Sequence, residues 1–146
     1  MEAWDILVIG DDPAALRSAS VSAKNGAKTL LISATALGNG DSSALDGLAA
    51  PIQEMNNSGH REDTIKSGYF LCDQDIVTAK TNMAIDEMIH LEKAGVVFSR
   101  DAKGLPLTSK GIGHSSPRII DAGDASVRDV QQVLEEQCMK NGVVNG

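Results

Sequence analysis

An α/β fold with a parallel sheet and flanking helices is predicted by three features of this 146-residue sequence. Ile6-Leu7-Val8-Ile9 is a short, unbroken apolar run, the pattern of a strand covered on both faces, and Thr29-Leu30-Leu31-Ile32 reads as a second buried strand. Between them Ala14 to Asn25 is rich in small residues and helix-like, and Gly26 follows where a left-handed residue is wanted after a helix. Strand, helix and strand in so short a span make a βαβ unit, whose two strands run parallel.

From Ala34 to Gly59 the pattern changes. Gly38, Gly40, Gly47, Pro51, Asn56, Asn57 and Gly59 punctuate a Ser/Asn/Gly-rich segment with little periodicity. A loop that long within a compact domain is usually either functional or loosely ordered. A short helix is expected around Glu62 to Leu71, and a longer one from Gln74 to Ala94, ended by Gly95. In the longer helix Val77, Ala84, Met88 and Leu91 share a face. Val96-Val97-Phe98 and Leu105-Pro106-Leu107 flank the turn-forming Asp101-Ala102-Lys103-Gly104, which predicts a small hairpin. A last helix fits Ser126 to Lys140, with Val127, Val130, Leu134 and Cys138 on one stripe and Gly142 as cap. Val143-Val144 then reads as another buried strand, just before Asn145-Gly146. A parallel strand normally needs more residues and a neighbour. The expectation is a single, truncated domain over 1–146 with an exposed apolar edge, prone to self-association or a bound partner.

Hydrophobic residues make up 42% and charged residues 23%, which suits a globular chain. Thirteen Lys and Arg against 20 Asp and Glu leave a net charge of −7, which argues against nucleic acid or an anionic membrane surface as partner. Aromatics, at 3%, are too scarce for a base-stacking surface. No apolar run approaches the ~20 residues of a membrane span, so no direct membrane insertion is expected. Met1-Glu2-Ala3-Trp4-Asp5 is acidic and unlike a signal peptide. Cys72 and Cys138 form no C-x-x-C pair and are expected as partly buried thiols in a reducing cytoplasm. The three histidines have no metal-ligand spacing, and neither a P-loop nor a Ser-His-Asp arrangement is visible.

The turn after the first strand carries the chemistry. Dinucleotide-binding βαβ units pass from strand to helix through G-x-G-x-x-G/A. The first Gly makes the turn, the second lets the pyrophosphate approach, and the third packs helix on strand. The aligned residues are Gly10, Asp12 and Ala15, so a carboxylate stands at the second place. Asp12 followed by Pro13 is the preferred N-cap and N1 order. A helix N-terminus attracts anions, and the Asp12 side chain is expected to fill the phosphate position with its own charge. A pyrophosphate entering beside it at about 4 Å would cost roughly 4 kcal/mol at an effective dielectric of about 20, on the order of a thousandfold in affinity. Asp11 adds a second repulsion. The second strand ends Ile32-Ser33-Ala34-Thr35 without the acid that normally holds the ribose.

Several segments in order resemble the succinate dehydrogenase/fumarate reductase flavoprotein family, which includes L-aspartate oxidase. They are Asp5 to Gly10, Ala15-Leu16-Arg17-Ser18-Ala19, Leu31-Ile32-Ser33, and Ser43-Ala44-Leu45-Asp46-Gly47-Leu48-Ala49-Ala50, the last similar to the family's S-A-x-G-G-I-A loop. His60-Arg61-Glu62-Asp63-Thr64 with Gly68, Asp73-Gln74-Asp75, Leu91 to Phe98, Gly113-His114-Ser115-Ser116-Pro117-Arg118 and Gly123-Asp124-Ala125 continue the series. The resemblance implies the Rossmann-like βαβ start of an FAD-binding domain, in which the βαβ unit holds the ADP moiety and the Ser/Gly loop lines the flavin. Carried over by position, the implied FAD contacts are Gly10, Ala15, Ser33, Ser42, Ser43, Ala44, Gly47 and Leu48. Asp12, Ala34 and Asp46 depart from the family pattern at a glycine, a basic residue and a glycine respectively. Covalent members attach flavin through a histidine in this loop. The stretch from Asn39 to Ser43 has none, so the implied FAD is noncovalent. Family members are several hundred residues long. Their substrate-binding residues and capping domain lie outside the matched region, so no complete redox site and no catalytic residue is expected here.

Three readings follow. One is the FAD-binding portion of a flavin oxidoreductase, working with a partner chain that carries the rest of the flavoenzyme, or with an iron–sulfur subunit. Another is a flavin-free, non-catalytic module for assembly or partner binding, and a module for a nucleotide fragment lacking the pyrophosphate is the third. His114 and Arg118, in a Gly/Ser/Pro loop, are candidates to face a flavin or carboxylate. His60 and Asp63 are candidates for a helix-start pair. His90 reads as a surface residue on a helix beside Glu87 and Glu92, and Gln131-Gln132 with Glu135-Glu136 as a solvated helix face.

Overall fold

The computed structural model describes residues 2–34, 47–52, 58–120 and 126–146. In chain order the elements are β1 (Ile6–Ile9), α1 (Pro13–Lys24), β2 (Thr29–Ile32), β3 (Leu48–Ala49), α2 (Ser58–Ser67), α3 (Gln74–Ala94), β4 (Thr108–Ser109), β5 (Ile119–Ile120), α4 (Ser126–Lys140) and β6 (Val144–Asn145). They fall into two compact units, Met1–Leu45 with Ala125–Gly146, and Asp46–Asp124.

The first unit is the expected βαβ with a later helix and strand added. β1 and β2 pair in parallel from Ile6↔Thr29 to Ile9↔Ile32, and β6 pairs in parallel with the other edge of β2 through Leu30↔Val144. The sheet order is therefore β1-β2-β6. Asp5 secures the start of β1: its carboxylate accepts the Lys28 amide at 2.8 Å, while the Lys28 ammonium sits 4.4 Å from the centroid of the Trp4 ring. The small residues of α1 let α4 approach closely. Leu16 and Ala19 are fully buried, as are Val130, Leu134 and Cys138 on α4 to within 2%. Cys138 Sγ donates to the Leu16 carbonyl at 3.2 Å, and Asn141 Nδ2 donates to Ser20 Oγ at 2.9 Å. Burial, with a smaller push from Glu135 and against a Ser20 backbone contact, moves the Cys138 thiol up to about 11, so it stays protonated and unreactive at neutral pH.

Two strand expectations are corrected here. β1 is not covered on both faces: Leu7 and Ile9, two residues apart and so on one face, are 53% and 77% exposed, and β1 is also an edge strand. β6 is present but exposed, being the opposite edge of the same sheet.

The second unit joins α2 and α3 to a small antiparallel sheet of order β3-β5-β4. Asp73 caps α3, its Oδ1 accepting the amides of Asp75 and Ile76 at 3.0 and 3.1 Å, and Gly95 ends the helix at φ 121°. Val77, Met88 and Leu91 are buried as expected, with Thr81 in place of Ala84 as the fourth buried residue. α2 begins four residues earlier than expected and stops at Ser67. Tyr69 and Phe70 then take positive φ values of 51° and 60°, while the Phe70 amide returns to the Ile65 carbonyl at 3.0 Å. The expected hairpin is a turn with one bridge, Arg100↔Pro106, held by Asp101 Oδ1 on the amides of Lys103 and Leu105. β3 falls in the segment that the sequence predicts as loop, and β4 and β5 give too short an apolar signal to be seen as strands. They exist through pairing with one another.

Candidate functional site

The strand-to-helix turn of the first unit is built by Gly10. It leaves β1 at φ 143°, which L-residues rarely adopt, and a Cβ there would lie 3.0 Å from the Ala15 Cβ. A glycine at the first motif place and a small residue at the third are both required by that contact. The Gly10 amide donates to the Ile32 carbonyl at 2.9 Å, so Gly10 and the residue after Ile32, Ser33, sit at the same end of the β1–β2 ladder. Asp12 is the N-cap, and its Oδ1 accepts the Ala15 amide at 2.8 Å. Pro13, at the first helical position, has no amide hydrogen. Gln131 braces the turn from α4, its Nε2 donating to the Asp11 carbonyl at 3.2 Å. Gln131 is 4% exposed, which corrects its reading as part of a solvated face; Gln132 and Glu136 are exposed as expected. Burial also raises the Glu135 carboxyl above its usual value, against a hydrogen bond from Gln131. The only sequence signal for Gln131 was its spacing of 3 from Leu134 on the buried stripe.

The second unit gathers the charged residues singled out above. Arg118 is fully buried, and its Nη1 donates to Asp63 Oδ2 at 2.6 Å. The same oxygen accepts the Ser115 amide at 2.6 Å and the Ser115 hydroxyl at 2.7 Å. Arg118 also donates to Ser116 Oγ at 2.7 Å and meets His114 Nδ1 at 3.1 Å. A guanidinium can only donate, so Nδ1 of His114 accepts and its proton sits on Nε2. The His60 and His114 rings lie 6.3 Å apart. Burial alone would raise the Asp63 carboxyl, but the hydrogen bonds from Arg118 and Ser115 and the Arg118 charge hold it well below the usual carboxylate range. An open cleft of about 470 Å³ is lined by Asp63, Lys66, Ser67, Tyr69 and Gly113. Held so far below the usual range, the Asp63 carboxylate is a poor base for that cleft. The constellation is a structural clamp on the 111–118 loop, and Asp63 pairs with Arg118 rather than with His60.

Of the site residues expected from sequence, Gly10 and Ala15 touch across the turn and Ser33 stands at the adjoining strand end. Ser42, Ser43 and Ala44 lie outside the described residues, as does Asp46. Gly47 and Leu48 belong to the second unit, where Leu48 pairs with Ile120. A Cβ on Gly47 would lie 2.5 Å from the Ile120 carbonyl oxygen. Gly47→Ala is expected to cost about 1–3 kcal/mol by forcing β3 from β5, read as faster exchange of the Ala50 amide, which donates to the Arg118 carbonyl at 2.8 Å. Unchanged exchange would show that β3 is not held by this contact. Among the described residues no three His, Cys, Asp or Glu side chains form a metal-binding group, and no helix is long and apolar enough to cross a membrane.

Residues 5–144 match the family described as FAD binding domain. The chain belongs to that FAD-binding domain family. It is 31% identical over 140 residues to L-aspartate oxidase 2-b, chloroplastic, of Nicotiana tabacum, covering 94% of this chain and 22% of that one. It is 30% identical over 152 residues to the succinate dehydrogenase flavoprotein subunit of Rickettsia felis, covering 96% and 26%. The FrdA chain of E. coli quinol fumarate reductase superposes with a TM-score of 0.87 at 26% identity, over 97% of this chain and 25% of that chain. The chain thus spans about a quarter of the length of these relatives. The fold is that of a portion of a fumarate reductase/succinate dehydrogenase-type FAD-binding domain, and FAD is the cofactor of that domain.

The turn meets this cofactor unevenly. Its backbone fits a dinucleotide: Gly10 supplies the tight turn, and Ala15 leaves room for close packing. The side chain at the second motif place does not fit, because the Asp12 carboxylate already holds the Ala15 amide that a phosphate would use.

Proposed function

We propose that this FAD-binding domain portion serves a flavin-dependent oxidoreductase of the kind its relatives are named for, and is incomplete by itself. The observation that carries this reading is the parallel βαβ with its Gly10 turn, which can present the end of α1 to an ADP moiety. In this reading Gly10, Ala15 and Ser33 line the adenine nucleotide. Ser42, Ser43, Ala44, Gly47 and Leu48 contribute to the flavin side, and the cofactor is noncovalent because Asn39 to Ser43 contain no histidine. Bound flavin would supply the hydride chemistry, while the protein positions it and excludes water. Substrate-binding groups then come from polypeptide outside this sequence. A partner chain carrying the rest of the flavoenzyme, or an iron–sulfur subunit, is supported by the subunit status of the Rickettsia felis relative. The exposed apolar edge of β1 equally supports self-association. The two free thiols, Cys72 and Cys138, are in keeping with a reducing compartment such as the cytoplasm.

The Asp12 cap favours a second reading, a flavin-free module kept for assembly or partner binding. Equilibrium dialysis of the purified chain against FAD separates the two. Saturable binding, with flavin absorbance retained by the protein and competed by ADP, is expected. No retained absorbance would overturn the FAD-binding reading in favour of a flavin-free module.

A further inference from the structure

The first turn of α1 offers less to an anion than a dinucleotide helix normally does. Of its three leading residues, Pro13 has no amide hydrogen, and the amide of Ala15 is held at 2.8 Å by Asp12 Oδ1. Ala14 carries the remaining amide hydrogen. The cap is also well set: Asp12 is extended at φ −82° and ψ 167°, its carbonyl accepts the Leu16 amide at 3.0 Å, and Gln131 anchors the neighbouring Asp11 carbonyl. A phosphate approaching this turn meets a formal negative charge and a donor already used.

We propose that the Asp12 carboxylate is a resident occupant of the pyrophosphate position and the specificity-determining residue of the nucleotide site, so that FAD or ADP binds only by displacing it from the Ala15 amide. The proposal rests on the FAD-binding reading above and specifies what limits that binding. The occupant acts against the phosphates and not against the base, so it selects for adenine ligands of lower charge. Asn at an N-cap keeps the amide contact without the charge, and Gly removes both. The two variants therefore separate repulsion from occupancy.

The experiment measures Kd for FAD, ADP and adenosine by calorimetry with the wild-type chain, Asp12→Asn and Asp12→Gly, with far-UV circular dichroism as the check on folding. Asp12→Gly is expected to bind FAD and ADP about a hundredfold or more tighter than wild type, and Asp12→Asn at least about tenfold tighter. Adenosine should be unchanged throughout. Equal FAD affinity in all three proteins would overturn the proposal and leave the FAD-binding reading standing. Failure of all three to bind FAD or ADP would overturn both. A gain for adenosine as large as that for ADP would overturn the proposal, because the obstacle would not be met by phosphate. Should Asp12→Gly not fold, Asp12→Asn decides alone, and an ADP affinity equal to wild type rejects the proposal.

Discussion

Replacing Arg118 with methionine is expected to destabilise the unit around it by roughly 3–5 kcal/mol, the cost of leaving one charge of a buried pair unpartnered. The Arg118 side chain is fully buried and that of Asp63 only 12% exposed, so water cannot readily replace the lost guanidinium. Three donors from the 111–118 loop, the Arg118 guanidinium and the Ser115 amide and hydroxyl, converge on one Asp63 oxygen, so the loop should loosen as a whole. Hydrogen exchange of the Arg118 amide, bonded to the Ser109 carbonyl at 3.1 Å, reports that loosening. Asp63→Asn and the double variant complete the cycle. A double variant no less stable than either single one would show that the damage comes from the orphaned charge.

The same pair gives the unit an acid dependence of defined sign. The folded Asp63 carboxyl is held below its usual value of 3.8, so the unfolded chain binds the proton more tightly. The stabilisation is complete above the unfolded value and is lost as pH falls through the folded one. Wild-type stability should therefore fall between about pH 5 and pH 2, and Arg118→Met should fall less steeply there. Parallel slopes for the two proteins would remove Asp63 as the cause.

Truncation of Leu16 to alanine is the second large effect, at about 2–5 kcal/mol, because a fully buried leucine leaves both its transfer energy and a cavity behind. The protein has one tryptophan, Trp4, which lies in the same unit, so its fluorescence follows this unfolding without a contribution from the other unit. Ile9→Ala is the control: with Ile9 77% exposed, its cost should stay within about 0.5 kcal/mol. A cost for Ile9→Ala near that for Leu16→Ala would mean that the outer side of β1 is covered in solution.

The parts legible in the sequence are those whose cause is local. α3 and α4 have the ends that the sequence predicts, Gln74–Ala94 and Ser126–Lys140, because apolar spacing and a closing glycine are each signals carried by residues within a turn or two of one another. The β1–α1–β2 unit is legible in the same way, and so is the N-cap role of Asp12, which needs only Pro13 and the next two amides. Tertiary structure alone decided the rest. Asp63 and Arg118 are 55 positions apart, Gly47 meets Ile120 across a sheet of two-residue strands, and Gln131 reaches Asp11 from 120 positions away. Each of those contacts exists because burial brings distant polar groups into one place, where each must find a partner. β1 is less buried than its sequence predicts for the converse reason: apolar residues announce that a strand can be covered, while the elements packed on each face of the sheet decide whether it is.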